Sequence, residues 1–543
     1  MPGGDYQVQV HVIECRDLKA EDANGLSDPY ARIRVLGRTK KTRVVKRVTS
    51  CVFDDVIYFD LRHTSRAAAE SATIDVAILD HDTFGGHDLI GSAAFDVRAV
   101  HARPDHELYR AWVGLIDATE AGDNGYQGFL RLSVTVLGPG DEQKAHDLDA
   151  EYQRELDKEE EAAETGGVAL AGPKLEGRLT FLVVYCWEAE DLPAIKSGIF
   201  TGGGVEAYVR AQVAGSEART TAVRCRGAKL NPRFREEIWL PVTEPTEART
   251  ATVGLVDRSW GSKDRTVARV DFDLSEIPRT DRTVKLPGLL GGLLATGSYD
   301  GPRPRWHNLY GAPARSGTSK AARRANRYGA RDGSTYRGRL LLSLEVLERP
   351  PRRAKTIPHV RAFTFAPKRG MAPTSAKYHF RAFAVAGSEL PVFRTPGMGT
   401  APVRLRASVG NHAIDFGFVK NEKGCCSFDA IDTLRGIDLP VLLSELPDVV
   451  LALFRGRPER AVAFARVPAA KLLREQFRGE PTWIPLTADA AARGGLGASE
   501  NPGAVLVPPE RRSRPRELVL RRPSRGRHTH VQEDGIQTPT LRT

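Results

Sequence analysis

Along residues 1–140 apolar and polar positions alternate in short runs, from Gln7-Val8-Gln9-Val10-His11-Val12-Ile13 to Phe129-Leu130-Arg131-Leu132-Ser133-Val134-Thr135-Val136. A period of two over many segments, with turn residues between them, predicts an antiparallel β-sandwich with polar outer faces and leaves function to the loops at one end. The pattern then returns. Tyr126-Gln127-Gly128 and the strand after it recur as Tyr336-Arg337-Gly338, and the opening run Val12 to Leu18 pairs with Val184 to Leu192. A second sandwich is therefore expected over 177–348. Its extra length, 280–335, is rich in Gly, Arg and Ala and reads as a flexible insertion. A fainter third sandwich is expected over 349–507, with strands at 378–385, 403–409 and 449–454. Between the first two, in a linker over 141–176, Leu148, Tyr152 and Leu156 recur every four residues in the charged run Asp141–Glu164. That spacing predicts a helix with one narrow apolar stripe, which either docks on its neighbouring sandwich or binds a partner. Residues 508–543 read as a disordered basic tail, with eight arginines between Arg511 and Arg527. The fold class is thus mostly β, a tandem of antiparallel β-sandwiches.

Composition narrows the partners. Across 543 residues, Lys plus Arg at 79 against Asp plus Glu at 68 gives +11, which suits an anionic partner such as a membrane surface or nucleic acid. The basic tail has neither interleaved aromatics nor a groove-reading motif, so salt-sensitive, non-specific nucleic-acid binding is the most it implies. Six sparse cysteines follow no metal or disulfide spacing and read as reduced thiols in the cytosol. Neither a signal peptide nor a transmembrane span is expected, because the longest apolar stretch, Leu439–Phe454, is broken by Glu445 and Asp448.

Candidate chemistry gathers between Asp22 and Asp88. Asp22 and Asp28 lie in a Gly-containing loop leading into the strand that starts at Tyr30, and Asp80, Asp82 and Asp88 follow the alternating run Ile74–Leu79. Like charges in short loops repel unless a cation neutralises them, and carboxylates at loop tips suit a hard divalent ion. The continuous twelve-residue loop of an EF-hand is not present here. Leu26 and Phe84 sit mid-loop, where they either enter a headgroup layer or fold back onto the loop. Arg38, Lys40, Lys41, Arg43, Lys46 and Arg47 would line one face of a strand, where they either meet anionic lipid or protect a sheet edge.

The pattern Asp17-Leu18 to Asp22, Gly25, Ser27-Asp28-Pro29-Tyr30, followed by Asp80, Asp82 and Asp88, resembles the calcium-binding loops of a C2 domain. The resemblance implies Ca2+ as cofactor, held by Asp22, Asp28, Asp80, Asp82 and Asp88. In the second sandwich the set is degraded. Lys196 or a neighbour falls at the place of Asp22, Glu206 replaces Asp28, Asp257 is kept, Ser259 replaces Asp82, and Asp264 or Arg265 stands last. In the third sandwich the corresponding loop is the basic Arg455–Arg460. Both read as calcium-independent.

The order of the pieces is similar to the N-terminal half of ferlins over roughly residues 6–350. A calcium-competent module and a charged helix precede a module with Trp306-His307-Asn308-Leu309-Tyr310 ahead of Tyr336-Arg337-Gly338, and Gly37–Arg43 also resembles the family's first-strand pattern. The resemblance implies a non-enzymatic, calcium-dependent phospholipid-binding protein of vesicle traffic, membrane fusion or repair. Its partners would be anionic phospholipid membranes and fusion-machinery proteins, at the cytoplasmic face of membranes. Ferlins normally end in a transmembrane helix, so a longer gene product would be tail-anchored. The alternative is a lipid enzyme or signalling scaffold targeted by its C2 domain. No Gly-x-Ser-x-Gly elbow, phosphate loop or kinase signature supports an enzyme.

Overall fold

Alternation becomes strand wherever one face can be buried, and it does so three times with one wiring. The coordinates are a computed structural model describing residues 1–20, 25–81, 87–117, 126–147, 178–194, 204–227, 230–244, 246–258, 264–281, 297–313, 320–348, 360–363, 365–366, 373–395, 399–455, 460–469, 482–489, 504–507 and 519–521, with isolated positions between 150 and 160. The first sandwich comprises β1 (Gly4–Arg16), β2 (Pro29–Val35), β3 (Arg38–Lys41), β4 (Cys51–Thr64), β5 (Thr73–Asp80), β6 (Leu89–Asp96), β7 (Glu107–Gly114) and β8 (Phe129–Leu137). These form two four-stranded sheets ordered β4-β1-β8-β7 and β3-β2-β5-β6.

The second sandwich comprises β9 (Arg178–Glu190), β10 (Gly204–Val213), β11 (Ser216–Arg219), β12 (Arg233–Glu244), β13 (Thr250–Asp257), β14 (Arg265–Asp273), β15 (Arg305–Gly311) and β16 (Thr335–Leu347). The third comprises β17 (Ser375–Ser388), β18 (Val403–Val409), β19 (His412–Asp415), β20 (Cys426–Pro440), β21 (Val449–Arg455), β22 (Arg460–Val467), β23 (Thr482–Pro485) and β24 (Ala504–Val507). Their sheets run β12-β9-β16-β15 with β11-β10-β13-β14, and β20-β17-β24-β23 with β19-β18-β21-β22, with short extra strands at the edges. All three thus share one strand order, with the opening strand between the fourth and the closing one. Every pairing among these strands is antiparallel.

Inward positions fill the cores. In the first sandwich Val8, Val10 and Val12 of β1 meet Ile33 and Val35 of β2 and Ile74, Val76 and Ile78 of β5. In the second, β9 is buried on both faces. Leu182, Val184 and Cys186 point into the core, whereas Phe181, Val183, Tyr185 and Trp187 join an outer aromatic layer with Trp239, Tyr299 and Trp306. The near-continuous apolar run of β9 follows from that double coverage.

Of the insertion at 280–335, residues 282–296 and 314–319 lie outside the described residues, and the described parts depart from the expectation of a flexible segment. Its Arg305–Gly311 part is β15, paired Trp306↔Leu341 and His307↔Leu340. Lys320–Asp332 is an α-helix. Here Ala312, Ala322 and Ala325 pack together, and Arg324 donates from Nη1 to the His63 carbonyl of the first sandwich at 3.0 Å. A few well-placed apolar side chains suffice to order a stretch whose composition is mostly Gly, Arg and Ala. The expected linker helix also departs from its bounds. Residues 141–147 are not helical and run along the first sandwich, with Gln143 bonded to Gln9 at 3.0 Å and Lys144 to Asp105 at 2.8 Å. The rest of that linker lies largely outside the described residues, as does the basic tail apart from Val519–Arg521, which pairs with β17.

Candidate functional site

Pro29 starts β2 because a proline costs the first residue of a strand nothing, and it biases Asp28 before it towards an extended backbone. In register, Pro29 lies opposite Asp80, the last residue of β5. Asp80 is buried, and its Oδ1 accepts the Asp28 N–H at 2.7 Å. The Arg47 N–H donates to Asp28 Oδ1 at 2.8 Å, from a left-handed backbone at φ 56. Two further main-chain bonds close the frame, Asp80 N–H to the Asp88 carbonyl at 2.9 Å and His81 N–H to the Asp28 carbonyl at 3.1 Å. Asp28 and Asp80 are therefore brought together, each with Oδ1 tied to a backbone N–H and Oδ2 outside that frame.

Asp88 is exposed at the start of β6, and Leu26 is half-buried. Asp22, Asp82 and Phe84 lie outside the described residues. Among the described residues no three carboxylates converge at this end. The chemistry at hand still fits an oxygen-seeking cation. Tyr30, 1% exposed, has a buried hydroxyl without a partner among the described residues, and its ring lies 6.2 Å from that of His81 and 5.5 Å from that of His87. The equivalent Tyr208 hydroxyl donates to Asp264 Oδ2 at 2.9 Å. Two carboxylates held side by side at the strand ends suit a site completed by a hard ion and its water.

The second sandwich repeats this frame and fills it differently. The Glu206 N–H donates to Asp257 Oδ1 at 3.0 Å, Arg258 N–H donates to the Glu206 carbonyl at 2.7 Å, and Asp257 is fully buried. Arg258, at the position of His81, brings Nη1 within 3.6 Å of Glu206 Oε1. A guanidinium of the chain itself thus stands beside the carboxylate. In the third sandwich Arg455, opposite Val403, holds the register place of Asp80. Sequence reading marked the loss of carboxylates but missed Tyr30 and Arg258. The signal for Arg258 was the change from His to Arg directly after a retained aspartate.

The basic run departs from a single cation-lined strand. Only Arg38–Lys41 is strand, at the exposed sheet edge. Arg38 donates to the Asp60 carbonyl, Lys40 lies 5.6 Å from the Phe59 ring and Lys41 4.8 Å from that of Tyr30. Beyond it, Val45 N–H bonds the Pro29 carbonyl and Val48 N–H that of Ser27, so the chain runs as a loop beside the start of β2. Arg43 N–H is held by Asp55 Oδ2 at 3.1 Å. Lys46 and Arg47 end at the carboxylate rim. Arg38 pairs with Val35, roughly 20 Å away at about 3.3 Å per residue.

A family model described as C2 domain matches residues 6–115 and 180–287, within the first two sandwiches. Myoferlin of Mus musculus is 26% identical over 368 residues, which cover 65% of this chain and 17% of that protein. Ferlin 2 of Tetrahymena thermophila is 25% identical over 370 residues, 63% of this chain and 20% of its own. Multiple C2 domain and transmembrane region protein 6 of Arabidopsis thaliana is 25% identical over 307 residues, 56% and 26% respectively. The chain therefore spans about a sixth to a quarter of the length of these curated relatives. Among solved structures, the calcium-bound tandem C2 domains of Extended-Synaptotagmin 2 cover 64% of this chain and 97% of their own at 17% identity, with a TM-score of 0.21. Among the described residues no helix is long and apolar enough to cross a membrane. The chain thus carries repeated C2-domain matches and is similar to ferlins over nearly two thirds of its length, as a ferlin-like multi-C2 protein would be.

Proposed function

We propose that this chain is a non-enzymatic, calcium-dependent binder of anionic phospholipid, acting in vesicle traffic, membrane fusion or repair at the cytoplasmic face of membranes. The first sandwich carries the calcium response, and the second meets lipid, if at all, without the ion. The observation that carries this reading is the contrast between two copies of one frame, with Asp28 and Asp80 offering outer oxygens in the first copy and Arg258 beside Glu206 in the second.

Asp22, Asp28, Asp80, Asp82 and Asp88 would hold the ion, whose positive charge cancels the rim carboxylates. The chain's own groups supply the rest. With the carboxylates neutralised, Lys46 and Arg47 set the local sign, and each cation near an anionic leaflet contributes about 1 kcal/mol. Screening over about 8 Å limits this effect to the residues at the rim. Leu26 and Phe84 add loop insertion, each worth roughly 1.5 to 3 kcal/mol if fully buried.

The test is co-sedimentation of the full chain with phosphatidylserine vesicles, in calcium and in chelator. Calcium is expected to raise the bound fraction at least about tenfold, and the paired substitutions Asp80→Asn and Asp82→Asn to abolish that rise. A double variant that still responds fully to calcium would overturn the reading.

A further inference from the structure

At the opposite end of the first sandwich, where β6 leads into the short helix Val97–His101, two histidines and one aspartate converge. His101 Nε2 lies 2.8 Å from Asp141 Oδ2, and His106 Nε2 lies 3.5 Å from Asp141 Oδ1. The two rings stack at 4.4 Å and 20°. All the candidate ligand atoms lie within 4.8 Å of one another. Asp141 belongs to the segment that leaves the sandwich after β8, so the cluster joins two parts of the chain.

The surrounding contacts orient these groups for a metal. His106 Nδ1 is 2.6 Å from the His101 carbonyl, which can only accept, so Nδ1 carries the hydrogen and the neutral ring keeps its lone pair on Nε2. A carbonyl on the far nitrogen of a ring is the partner that metal-bound histidines typically use. The Gly138 N–H holds Asp141 Oδ2 at 2.8 Å. A Cβ on Gly138 would sit 3.2 Å from that oxygen and 3.4 Å from His101 Nε2, so glycine keeps the approach open. The side chains of His101, His106 and Asp141 are 18%, 32% and 21% exposed, which leaves the cluster reachable from solvent.

We propose that His101 Nε2, His106 Nε2 and the Asp141 carboxylate bind a divalent transition-metal ion of the zinc class, with water as the fourth ligand. Two imidazoles and one carboxylate are borderline donors, which calcium disfavours and zinc prefers. Tetrahedral zinc with bonds of about 2.0–2.1 Å sets its ligand atoms roughly 3.4 Å apart. His106 Nε2 already stands 3.5 Å from Asp141 Oδ1, and His101 Nε2, 2.8 Å from Oδ2, must shift towards that same oxygen. The ion stands between the two rings and the carboxylate. It fastens residues 138–147 to the sandwich, beside the Gln9–Gln143 and Lys144–Asp105 contacts.

The full chain, stripped of metal and held in millimolar calcium to occupy all-oxygen sites, is titrated with zinc against a chromophoric chelator. Wild type is expected to take up one zinc more than the His106→Gln and Asp141→Asn variants, or to hold it at least about tenfold more tightly. Equal stoichiometry and affinity in all three proteins would overturn the proposal. X-ray absorption of the zinc-loaded wild type provides a readout independent of variant folding. Two imidazole nitrogens with oxygen in the first shell support the site, and a sulfur-containing or all-oxygen shell contradicts it.

Discussion

Asp80 has two tasks that a substitution can separate. Its Oδ1 accepts the Asp28 N–H and so fixes the loop, which an asparagine amide oxygen reproduces, whereas only the carboxylate supplies charge to an ion. Asp80→Asn should therefore leave the melting temperature nearly unchanged and weaken calcium binding at least about tenfold, about 1.4 kcal/mol, in calorimetry. The second sandwich suggests the reverse operation. His81→Arg would install the guanidinium that Arg258 places beside Glu206, and it is expected to lower calcium affinity by a comparable factor without loss of fold. Unchanged affinity in that variant would show that the internal cation is not what distinguishes the two frames. The Arg258–Glu206 pair has its arginine side chain 54% exposed, so it adds at most about 1 kcal/mol of stability, and its interest lies in the charge it places.

At the level of elements, the repeated Tyr-x-Gly has a steric cause. Gly128 at φ 134 immediately precedes β8 and Gly338 at φ 97 lies among the first residues of β16, where a Cβ on Gly338 would stand 2.5 Å from the Glu190 carbonyl oxygen. Gly338→Ala should destabilise the chain by about 2 kcal/mol or more in denaturant unfolding, since backbone must move. The loop after β3 supports a second expectation. Lys46→Gln with Arg47→Gln should weaken vesicle binding and flatten its salt dependence, while Arg38→Gln, remote from the rim, should change it far less. These elements also show why the sequence was only partly legible. The long strands were readable because burial of one face imposes a period of two, and the Asp28 and Asp80 positions because they sit at strand ends. A run such as Arg38–Arg47 has no apolar period, so nothing marked its strand as ending at Lys41. Trp306, Leu309 and Tyr310 were diluted by Gly and Arg, which hid β15 as an ordered edge. The His101–His106–Asp141 cluster had no local spacing to find, because its aspartate comes from a distant segment.

Across the whole molecule, the three sandwiches are joined by polar contacts rather than by linkers alone. Asn308 Nδ2 donates to the Glu445 carbonyl at 2.9 Å, and Asp448 N–H donates to the Tyr310 hydroxyl at 2.6 Å, between the second and third. Between the first and second, Asp96 Oδ2 accepts the Arg249 N–H at 2.9 Å, and Arg103 pairs with Glu247 at 2.5 Å. Burial raises the Asp96 carboxyl to about 6, outweighing the hydrogen bonds from Thr250 and Arg249 that lower it. A folded state that favours the protonated acid loses stability as pH rises from the unfolded value near 4 to about 6. Asp96→Asn should thus match wild type near pH 3.5 and exceed it above pH 6, by up to roughly 3 kcal/mol, in melts across that range. The central claim is a coupling between ion and membrane, and coupling must be reciprocal. Calcium calorimetry on the full chain, with and without saturating phosphatidylserine vesicles, tests it most directly. Tighter calcium binding with vesicles, by the same factor by which calcium tightens vesicle binding, is the predicted result, and a calcium affinity indifferent to the vesicles would contradict it.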